Sequence, residues 1–311
     1  MAKFRNQNIT LHLKGDLRMK PITKAVLPVA GFGTRVLPAT KTVPKEMLTV
    51  VDRPALQYIV DEAVEAGIEH FVFVTARNKS AIEDYFDSAY ELEDALQRKG
   101  KTDIYNDLIA KTPLEGTMSF VRQQQAKGLG HAVWCARDII GNEPFAVLLP
   151  DVIIQSKKSC LSQMVEAYQQ VGGNIIAVDP VSQENISSYG VIKPKDGADA
   201  KGALIPMDGM VEKPSADKAP SNLKITGRYI LQPEVMSLLR TQATGAGGEI
   251  QLTDAMARLM KEQDFYAFKY EGKDYDCGSK LGYFEAIVAY ALQNRDIRDG
   301  AREVIERFVK A

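Results

Sequence analysis

The chain has little of what marks several classes of protein. Its 311 residues include three histidines and one tryptophan, and the net charge is −1. It therefore lacks the basic excess of a protein that binds a nucleic-acid polymer. The cysteines, Cys135, Cys160 and Cys277, are odd in number and lack zinc-like spacing, which predicts free thiols in a reducing cytoplasm. No apolar run approaches the roughly 18 residues that span a bilayer, so we expect no membrane insertion.

The composition suits a protein with a substantial core, since 45% of the residues are hydrophobic. Residues 1–22 are polar and mixed in charge, and we interpret them as a flexible N-terminal extension. We expect one main domain over residues 23–295. Residues 296–311 are predicted to form a C-terminal helix that makes oligomer contacts, in a dimer or a tetramer.

From Lys24 onward, short apolar runs alternate with helical patterns. Strands are predicted at 24–29, 70–75, 117–122 and 145–149. Helices are predicted at 54–66, 80–86, 90–110 and 129–139. This order favours a Rossmann-like α/β fold, in which helices flank a mixed, mostly parallel sheet.

After Asp151 the pattern changes. A helix at 162–170 precedes strand-like runs at 174–178, 189–193, 209–212 and 223–231, joined by loops rich in Gly, Pro and Asp. This half is predicted to be a smaller antiparallel part suited to binding a sugar. C-terminal helices are predicted at 233–240, 250–261, 282–294 and 301–309.

A glycine-rich turn, residues 29–35 (VAGFGTR), follows the first strand. Glycines at Gly31 and Gly33 allow backbone N–H groups to approach phosphate oxygens, and Arg35 and Lys45 add positive charge nearby. A dinucleotide-binding turn would need a third glycine where Val36 stands, and no Gly-Lys-Ser or Gly-Lys-Thr of a Walker A loop follows. The turn therefore suits a nucleotide bound in another geometry, although alone it could simply end a strand.

The extended stretch carries a family resemblance. Residues 31–35 (GFGTR), 37–41 (LPATK) and 44–48 (PKEML) closely resemble the signature of the sugar-nucleotide pyrophosphorylases. Residues 43–47 (VPKEM) are similar to the bacterial UTP–glucose-1-phosphate uridylyltransferase branch. Family-like segments run in order from about Lys24 to about Gly282, and the departure is the N-terminal extension. The resemblance implies the nucleotidyltransferase fold and an Mg²⁺-dependent reaction of UTP with glucose 1-phosphate that gives UDP-glucose and pyrophosphate.

The resemblance also assigns nucleotide contacts. Ala30, Gly31, Gly33 and Thr34 would bind the nucleotide, and Gln123 and Gly128 would hold uracil. A glutamine amide offers a donor and an acceptor, which is what reading a pyrimidine edge requires. As bare sequence, Gln123 is an ordinary polar residue at a strand end, and His131 after it is interpreted as a packing or hydrogen-bonding histidine.

Two aspartates are the predicted metal ligands. Asp151 follows a buried strand, where ligands sit in open α/β sheets, and carboxylates suit Mg²⁺. Asp276 is the second candidate, from far along the chain. Either one alone would be an ordinary cap or surface acid, and the resemblance to the family's metal-binding pair favours the metal role. Cys277 beside it is interpreted as a small packed residue, not a nucleophile.

The second half supplies the predicted sugar contacts. By the resemblance, Glu212 contacts the hexose, Lys213 binds its phosphate, and Gly190 and Gly227 line the pocket. Without the other motifs, Glu-Lys-Pro at 212–214 is only a charged strand end. The segment 248–255 (GEIQLTDA) also fits the family and marks the start of a helix.

A sugar 1-phosphate is already anionic, so its transfer needs no general base, and catalysis is mostly positioning and electrostatics. We expect direct displacement at the α-phosphorus with Arg35, Lys45, Asp151 and Lys213 as the catalytic groups. The alternatives are a related enzyme that uses dTTP or another sugar 1-phosphate, and a catalytically silent regulatory paralogue. The presence of Arg35, Lys45 and both aspartates argues against the paralogue.

Overall fold

The computed structural model describes residues 19–199 and 201–309. The strands are β1 (Lys24–Pro28), β2 (Thr49–Val50), β3 (Arg53–Pro54), β4 (His70–Thr75), β5 (Met118–Arg122), β6 (Phe145–Leu148), β7 (Val152–Gln155), β8 (Asn174–Pro180), β9 (Gly190–Pro194), β10 (Leu204–Glu212), β11 (Leu223–Leu231), β12 (Phe265–Lys269) and β13 (Lys273–Asp276). The helices are α1 (Ala55–Glu65), α2 (Ser80–Phe86), α3 (Tyr90–Arg98), α4 (Thr102–Ile109), α5 (Leu129–Cys135), α6 (Arg137–Ile140), α7 (Cys160–Val171), α8 (Val235–Arg240), α9 (Leu252–Leu259), α10 (Lys280–Ala291) and α11 (Arg298–Val309).

Within the described residues, one nine-stranded sheet has the order β5-β4-β1-β6-β11-β8-β12-β10-β9. The strands β5, β4, β1 and β6 are parallel, as the alternation of strands and helices predicted. Strand β11 then enters antiparallel between β6 and β8, with Tyr229 opposite both Val147 and Ile176. The predicted α/β class is confirmed, and the antiparallel part continues the same sheet.

Helices cover both faces of this sheet, and the strand sequences show why. Along β1, Ala25 and Leu27 pack into one hydrophobic cluster, with α1 and α7, while Val26 packs into the other, with α5, α8 and α9. Side chains alternate between the faces of a strand, so a strand buried on both faces must be apolar throughout. Among the described residues, no helix is long and apolar enough to cross a membrane.

The single helix predicted over 90–110 is wrong, because the chain forms α3 and α4 instead. Gly100 ends α3 in the left-handed region, with φ 67°. Its N–H donates to the Gln97 carbonyl at 3.0 Å, and the Lys101 N–H donates to the Leu96 carbonyl at 3.0 Å. This hydrogen-bond pair is a Schellman cap, which glycine favours. The helix predicted over 129–139 is likewise divided at Ala136 into α5 and α6.

Short strands that pair over long sequence distances were not predicted, above all β7 and β13. The predicted flexible extension falls mostly on residues 1–18, which lie outside the described part of the chain. Of the remaining four residues, Ile22 is buried in the core.

Candidate active site

The glycine-rich turn lies between β1 and a single-turn 3₁₀ helix, Thr34–Val36. Gly33 has φ 66°, in the left-handed region that favours glycine. Its carbonyl accepts a hydrogen bond from the Thr40 hydroxyl at 2.8 Å. A Cβ atom on Gly33 would lie 3.1 Å from the Cβ of Lys45, so the glycine lets the Lys45 segment pack directly on the turn.

A cavity of about 340 Å³ opens beside this turn, at the carboxyl ends of the parallel strands. Six of the residues predicted from the sequence line it: Ala30, Gly31, Lys45, Gln123, Gly128 and Asp151. Ligands of open α/β sheets bind at this edge. Thr34 begins the 3₁₀ turn nearby and is exposed.

Asp151 and Asp276 are brought together by a short antiparallel ribbon. Asp151 lies in the turn between β6 and β7, and Asp276 ends β13. Because β7 pairs with β13, Asp276 lies directly opposite Val152. This two-stranded ribbon, which is separate from the main sheet, therefore brings together two carboxylates that are far apart in the sequence.

Both carboxylates are ion-paired with the cations predicted for the phosphates. Lys45 Nζ lies 2.7 Å from Asp151 Oδ2. Arg35 bridges the two aspartates, with Nη2 at 3.3 Å from Asp151 Oδ2 and Nη1 at 3.2 Å from Asp276 Oδ2. The four side chains form one cluster of alternating charge, which we call the phosphate cluster.

The ionisation of the Lys45–Asp151 pair follows from its surroundings. Burial is the largest influence on the pKa of Asp151 and raises it, but the charges of Lys45 and Arg35 outweigh burial, so the pKa is lowered overall. Burial likewise lowers the pKa of Lys45, and Asp151 and Glu46 outweigh it, so the pKa of Lys45 is raised. Both groups are charged at neutral pH.

The two aspartates converge on the space that the missing side chain of Gly278 leaves open. A Cβ atom on Gly278 would lie 2.9 Å from Asp276 Oδ1, 3.0 Å from Asp151 Oδ2 and 2.5 Å from Arg35 Nη2. In this structure a guanidinium therefore reaches the place where the carboxylate oxygens point. Across residues 19–199 and 201–309, no three Asp, Glu, His or Cys side chains form a metal-binding group.

A buried ion pair holds the backbone of the turn that carries Asp151. Arg228 is fully buried and binds the carboxylate of Glu62, with Nη2 at 2.8 Å from Oε2. The same guanidinium donates to the carbonyl oxygens of Leu149 at 3.2 Å and Val152 at 2.7 Å. These carbonyls flank Asp151 on both sides. Arg228 thus ties helix α1 to both ends of the turn that carries Asp151.

Gln123 and Gly128 also line the cavity. Gln123 is buried, and its side-chain Nε2 donates to the Gly128 carbonyl at 3.1 Å. Gly128 has φ 99°, and a Cβ there would lie 2.7 Å from the Cβ of Glu249 and 2.8 Å from the carbonyl oxygen of Ile250. Only glycine fits this position, because both the conformation and the space exclude a side chain.

The predicted sugar residues lie together on the antiparallel side. Glu212 Oε2 accepts a hydrogen bond from the Thr253 hydroxyl at 2.9 Å. Gly190 is opposite Glu212 in the β9–β10 pair, and a Cβ on it would lie 3.1 Å from Glu212 Oε2. Lys213 has φ 47°, and its Nζ lies 3.6 Å from Glu212 Oε1 with the side chain 61% exposed.

Gly227, which is predicted to line the sugar pocket, contacts the chain next to Asp151. It lies where the pairing of β11 with β8 is irregular, and its carbonyl accepts from the Leu149 N–H at 2.9 Å. A Cβ on it would lie 3.0 Å from the Leu149 side chain. Gly227 therefore lets the strand that carries Arg228 pack closely against the chain leading to Asp151.

Sequence reasoning missed two buried supports. Arg228 is 0% exposed and Glu62 is 7% exposed, a degree of burial that charged residues show only when they are paired. No local sequence pattern reveals such a pair. Glu46, next to Lys45, is fully buried and lies 2.7 Å from Lys79 Nζ, and burial raises its pKa despite that lysine. For Cys277, burial and then Asp276 and Asp151 raise the thiol pKa to about 12, which does not suit a nucleophile.

The α/β fold and the cavity at the carboxyl ends of its parallel strands suit a protein that binds a nucleotide. The family model described as nucleotidyl transferase matches residues 24–293. The chain belongs to the nucleotidyl transferase family.

Individual relatives are similar over most of their length. The chain is 52% identical to a UTP–glucose-1-phosphate uridylyltransferase of Komagataeibacter xylinus, covering 85% of this chain and 92% of that protein. A UTP-bound UGPase from Acinetobacter baumannii has a TM-score of 0.84 and 44% identity, covering 91% of this chain and 98% of the other. A UDP-glucose pyrophosphorylase complexed with UDP-glucose has a TM-score of 0.77 and 44% identity, covering 88% of this chain and all of the other.

Proposed function

We propose that this protein transfers the uridylyl group of UTP to α-D-glucose 1-phosphate, giving UDP-glucose and pyrophosphate. The observation that carries the proposal is one cavity lined by Gln123 and Gly128 together with Lys45 and Asp151 of the phosphate cluster. The relatives described above support the choice of UTP and glucose.

The reaction is a direct displacement. An oxygen of the sugar phosphate attacks the α-phosphorus, and pyrophosphate leaves from the opposite side. No protein group has to remove a proton, because the nucleophile is already an anion. Lys45 and Arg35 stabilise the negative charge that spreads over the phosphate oxygens, once those oxygens replace the aspartates as their partners.

The residues fit a divalent metal ion, which nucleotidyl transferases of this family generally use. Asp151 and Asp276 aim their oxygens at the shared space beside Gly278, and two carboxylates are the usual protein contribution to an Mg²⁺ site that substrate phosphates complete. We infer that they hold Mg²⁺ there. The ion, when bound, supplies positive charge that neutralises phosphate oxygens.

On the sugar side, we assign hexose hydroxyl contacts to Glu212 and the phosphate contact to Lys213. Thr253 holds one carboxylate oxygen of Glu212, which fixes its direction. Gly190 leaves room beside that carboxylate. Gly227 acts through the backbone that it supports near Leu149.

We also propose that the protein is a cytoplasmic homo-oligomer and that α10 and α11 take part in the contact. Large apolar side chains on these helices are exposed, among them Leu281 (77%), Phe284 (62%) and Phe308 (75%). Exposed large apolar side chains of this kind, where they form a patch, are typical of subunit contacts. Light scattering that gives the mass of a single chain would contradict this assignment.

Pyrophosphate release tests the function. The protein, Mg²⁺ and glucose 1-phosphate are incubated with UTP, dTTP, CTP, ATP or GTP in turn. We expect release with UTP above all, and UDP-glucose as the product. Faster release with dTTP would favour the related enzyme, and no release with any nucleotide would favour the regulatory paralogue.

A further inference from the structure

The side chain of His131 contacts the side-chain amide of Gln123, the residue that we assign to the base. It lies on α5, and its Nδ1 is 3.1 Å from Gln123 Nε2. The same Nε2 donates to the Gly128 carbonyl at 3.1 Å. The backbone of Gln123 is held separately, since its N–H donates to the Thr75 carbonyl at 2.8 Å.

These contacts determine which atom of the amide is available to a ligand. An amide nitrogen has two hydrogens, and here they have two acceptors within the protein, the Gly128 carbonyl and the His131 ring. The side chain lines the nucleotide cavity although little of it is exposed. The remaining polar atom, Oε1, is an acceptor and is left to meet the base.

The ring nitrogen can act as an acceptor only while His131 is neutral. Burial, and then the charges of Lys127 and Arg137, lower the pKa of His131, so the ring is neutral near neutral pH. Other charged or titratable groups around the same cleft are Arg122, Cys135 and Asp138. Cys135 Sγ lies 3.9 Å from Nδ1, too far to replace the amide as its main partner.

Uracil and cytosine differ at the atom that such an acceptor reads. The N3 position of uracil carries a hydrogen and donates, whereas N3 of cytosine is an acceptor. Thymine carries the same N3–H as uracil. A Gln123 amide held with Oε1 toward the base therefore accepts from uracil or thymine and meets a second acceptor in cytosine.

We propose that His131 is a positioning residue for base specificity: its Nδ1 holds the Gln123 amide in the orientation that selects UTP over CTP. This inference rests on the proposed function, because it concerns the same nucleotide site. Protonated His131 would donate instead of accept, so the Gly128 carbonyl alone would hold the amide nitrogen and the orientation of the amide would be less strictly fixed.

The test is the ratio of kcat/KM for UTP to kcat/KM for CTP in matched variants. His131→Leu removes the acceptor, and His131→Asn has nearly the same shape but keeps an acceptor oxygen near the Nδ1 position. We expect the ratio to fall about ten-fold or more in H131L and to stay within about three-fold of the original in H131N. The ratio of UTP to dTTP should not change in either variant. Cys135→Ala, one turn along the helix, should leave both ratios unchanged.

The pH dependence supplies a readout that a purely structural role would not move. For the unaltered protein, the UTP-to-CTP ratio should stay constant near neutral pH and fall as the pH is lowered below about 6.5, because the pKa of His131 lies below the ordinary value of a histidine. The ratio in H131N should stay flat. Protonation of the nucleotide phosphates is common to both substrates and cancels in the ratio.

The outcomes separate the inference from the function. If the unaltered protein releases no pyrophosphate with UTP, the proposed function fails. If the unaltered protein prefers UTP but the H131L variant keeps the same UTP-to-CTP ratio, the proposed role of His131 is wrong while the proposed function stands. A thermal melting curve checks that H131L is folded. An equal fall of the UTP-to-CTP ratio in H131L and H131N would also overturn the inference. It would mean that the packing of the ring determines the ratio, and that the acceptor nitrogen does not.

Discussion

The phosphate cluster and the sugar side of the site differ in how their charged groups are held. Lys45 and Asp151 are 2.7 Å apart with side chains 14% and 18% exposed. Lys213 is 61% exposed and lies 3.6 Å from its partner Glu212. The Lys45–Asp151 pair of the phosphate cluster is therefore organised before any substrate arrives, while the lysine of the sugar side remains free to turn toward a ligand.

The backbone beneath each half shows the same contrast. The Asp151 turn rests on the buried Arg228–Glu62 pair, which bonds to carbonyls on both sides of it. Lys213 instead follows the end of β10 in the left-handed region, held by a hydrogen bond from its N–H to the Tyr189 carbonyl at 3.1 Å. Preorganised charge lowers the barrier to reaction, whereas a mobile contact mainly affects binding. Substitutions in the two halves should therefore change different kinetic constants.

Asp151→Asn should have the largest effect, because it removes a predicted metal ligand and the partner of Lys45. We expect kcat to fall by about a thousand-fold or more, equivalent to several kcal/mol of transition-state stabilisation. Steady-state rates at saturating UTP and glucose 1-phosphate measure it. Asp138→Asn is the control, since Asp138 is an exposed aspartate paired with Arg137. Nearly full turnover in the Asp151→Asn variant would show that Asp151 takes no part in the reaction.

The Arg228→Met variant should have the lowest free energy of unfolding, because the substitution leaves the carboxylate of Glu62 buried without its partner. Breaking a buried pair in this way costs about 3–5 kcal/mol. Urea denaturation measures the free energy of unfolding. Glu62→Gln added to R228M should restore part of the loss, at least about 1 kcal/mol, since the buried charge is gone and an acceptor for the Leu161 N–H remains. If the double variant were no more stable than R228M, the pair would not be the support described here.

Lys45→Ala should depress turnover more than binding. Removing one group that stabilises transition-state charge costs about a hundred-fold in kcat or more, and KM for UTP should change much less. Lys41→Ala, an exposed lysine in the preceding 3₁₀ turn, is the matched control. Comparable losses in kcat and in affinity for UTP would mean that Lys45 only binds or supports the fold.

Lys213→Ala should have the smallest effect of these substitutions, and it should change substrate binding more than turnover. The loss of a charge-assisted contact to the sugar phosphate should raise KM for glucose 1-phosphate about ten-fold, with kcat less affected. Lys193→Ala serves as the control, because Lys193 is an exposed lysine paired with Asp208 on the neighbouring strand. A fall in kcat as large as that of Lys45→Ala would contradict the contrast between the two halves.

The contrast also explains what the sequence could and could not predict. The apolar run of β1, the turn with Gly33 and the strand that leads to Asp151 are local patterns, and they were predicted correctly. The meeting of Asp151 with Asp276 depends on the β7–β13 pairing, which joins segments too distant for a local pattern. Burial of Arg228 within β11 was not foreseen, because a charged residue in a strand normally faces water.

The direct-transfer reaction is tested most directly with UTP labelled at the α-phosphate. The protein is incubated with Mg²⁺ and labelled UTP, with or without glucose 1-phosphate, and is then denatured and separated from small molecules. We expect all transferred label to appear in UDP-glucose when the sugar phosphate is present, and none on the protein under either condition. Label retained on the denatured protein, or no labelled UDP-glucose, would contradict direct displacement within the phosphate cluster.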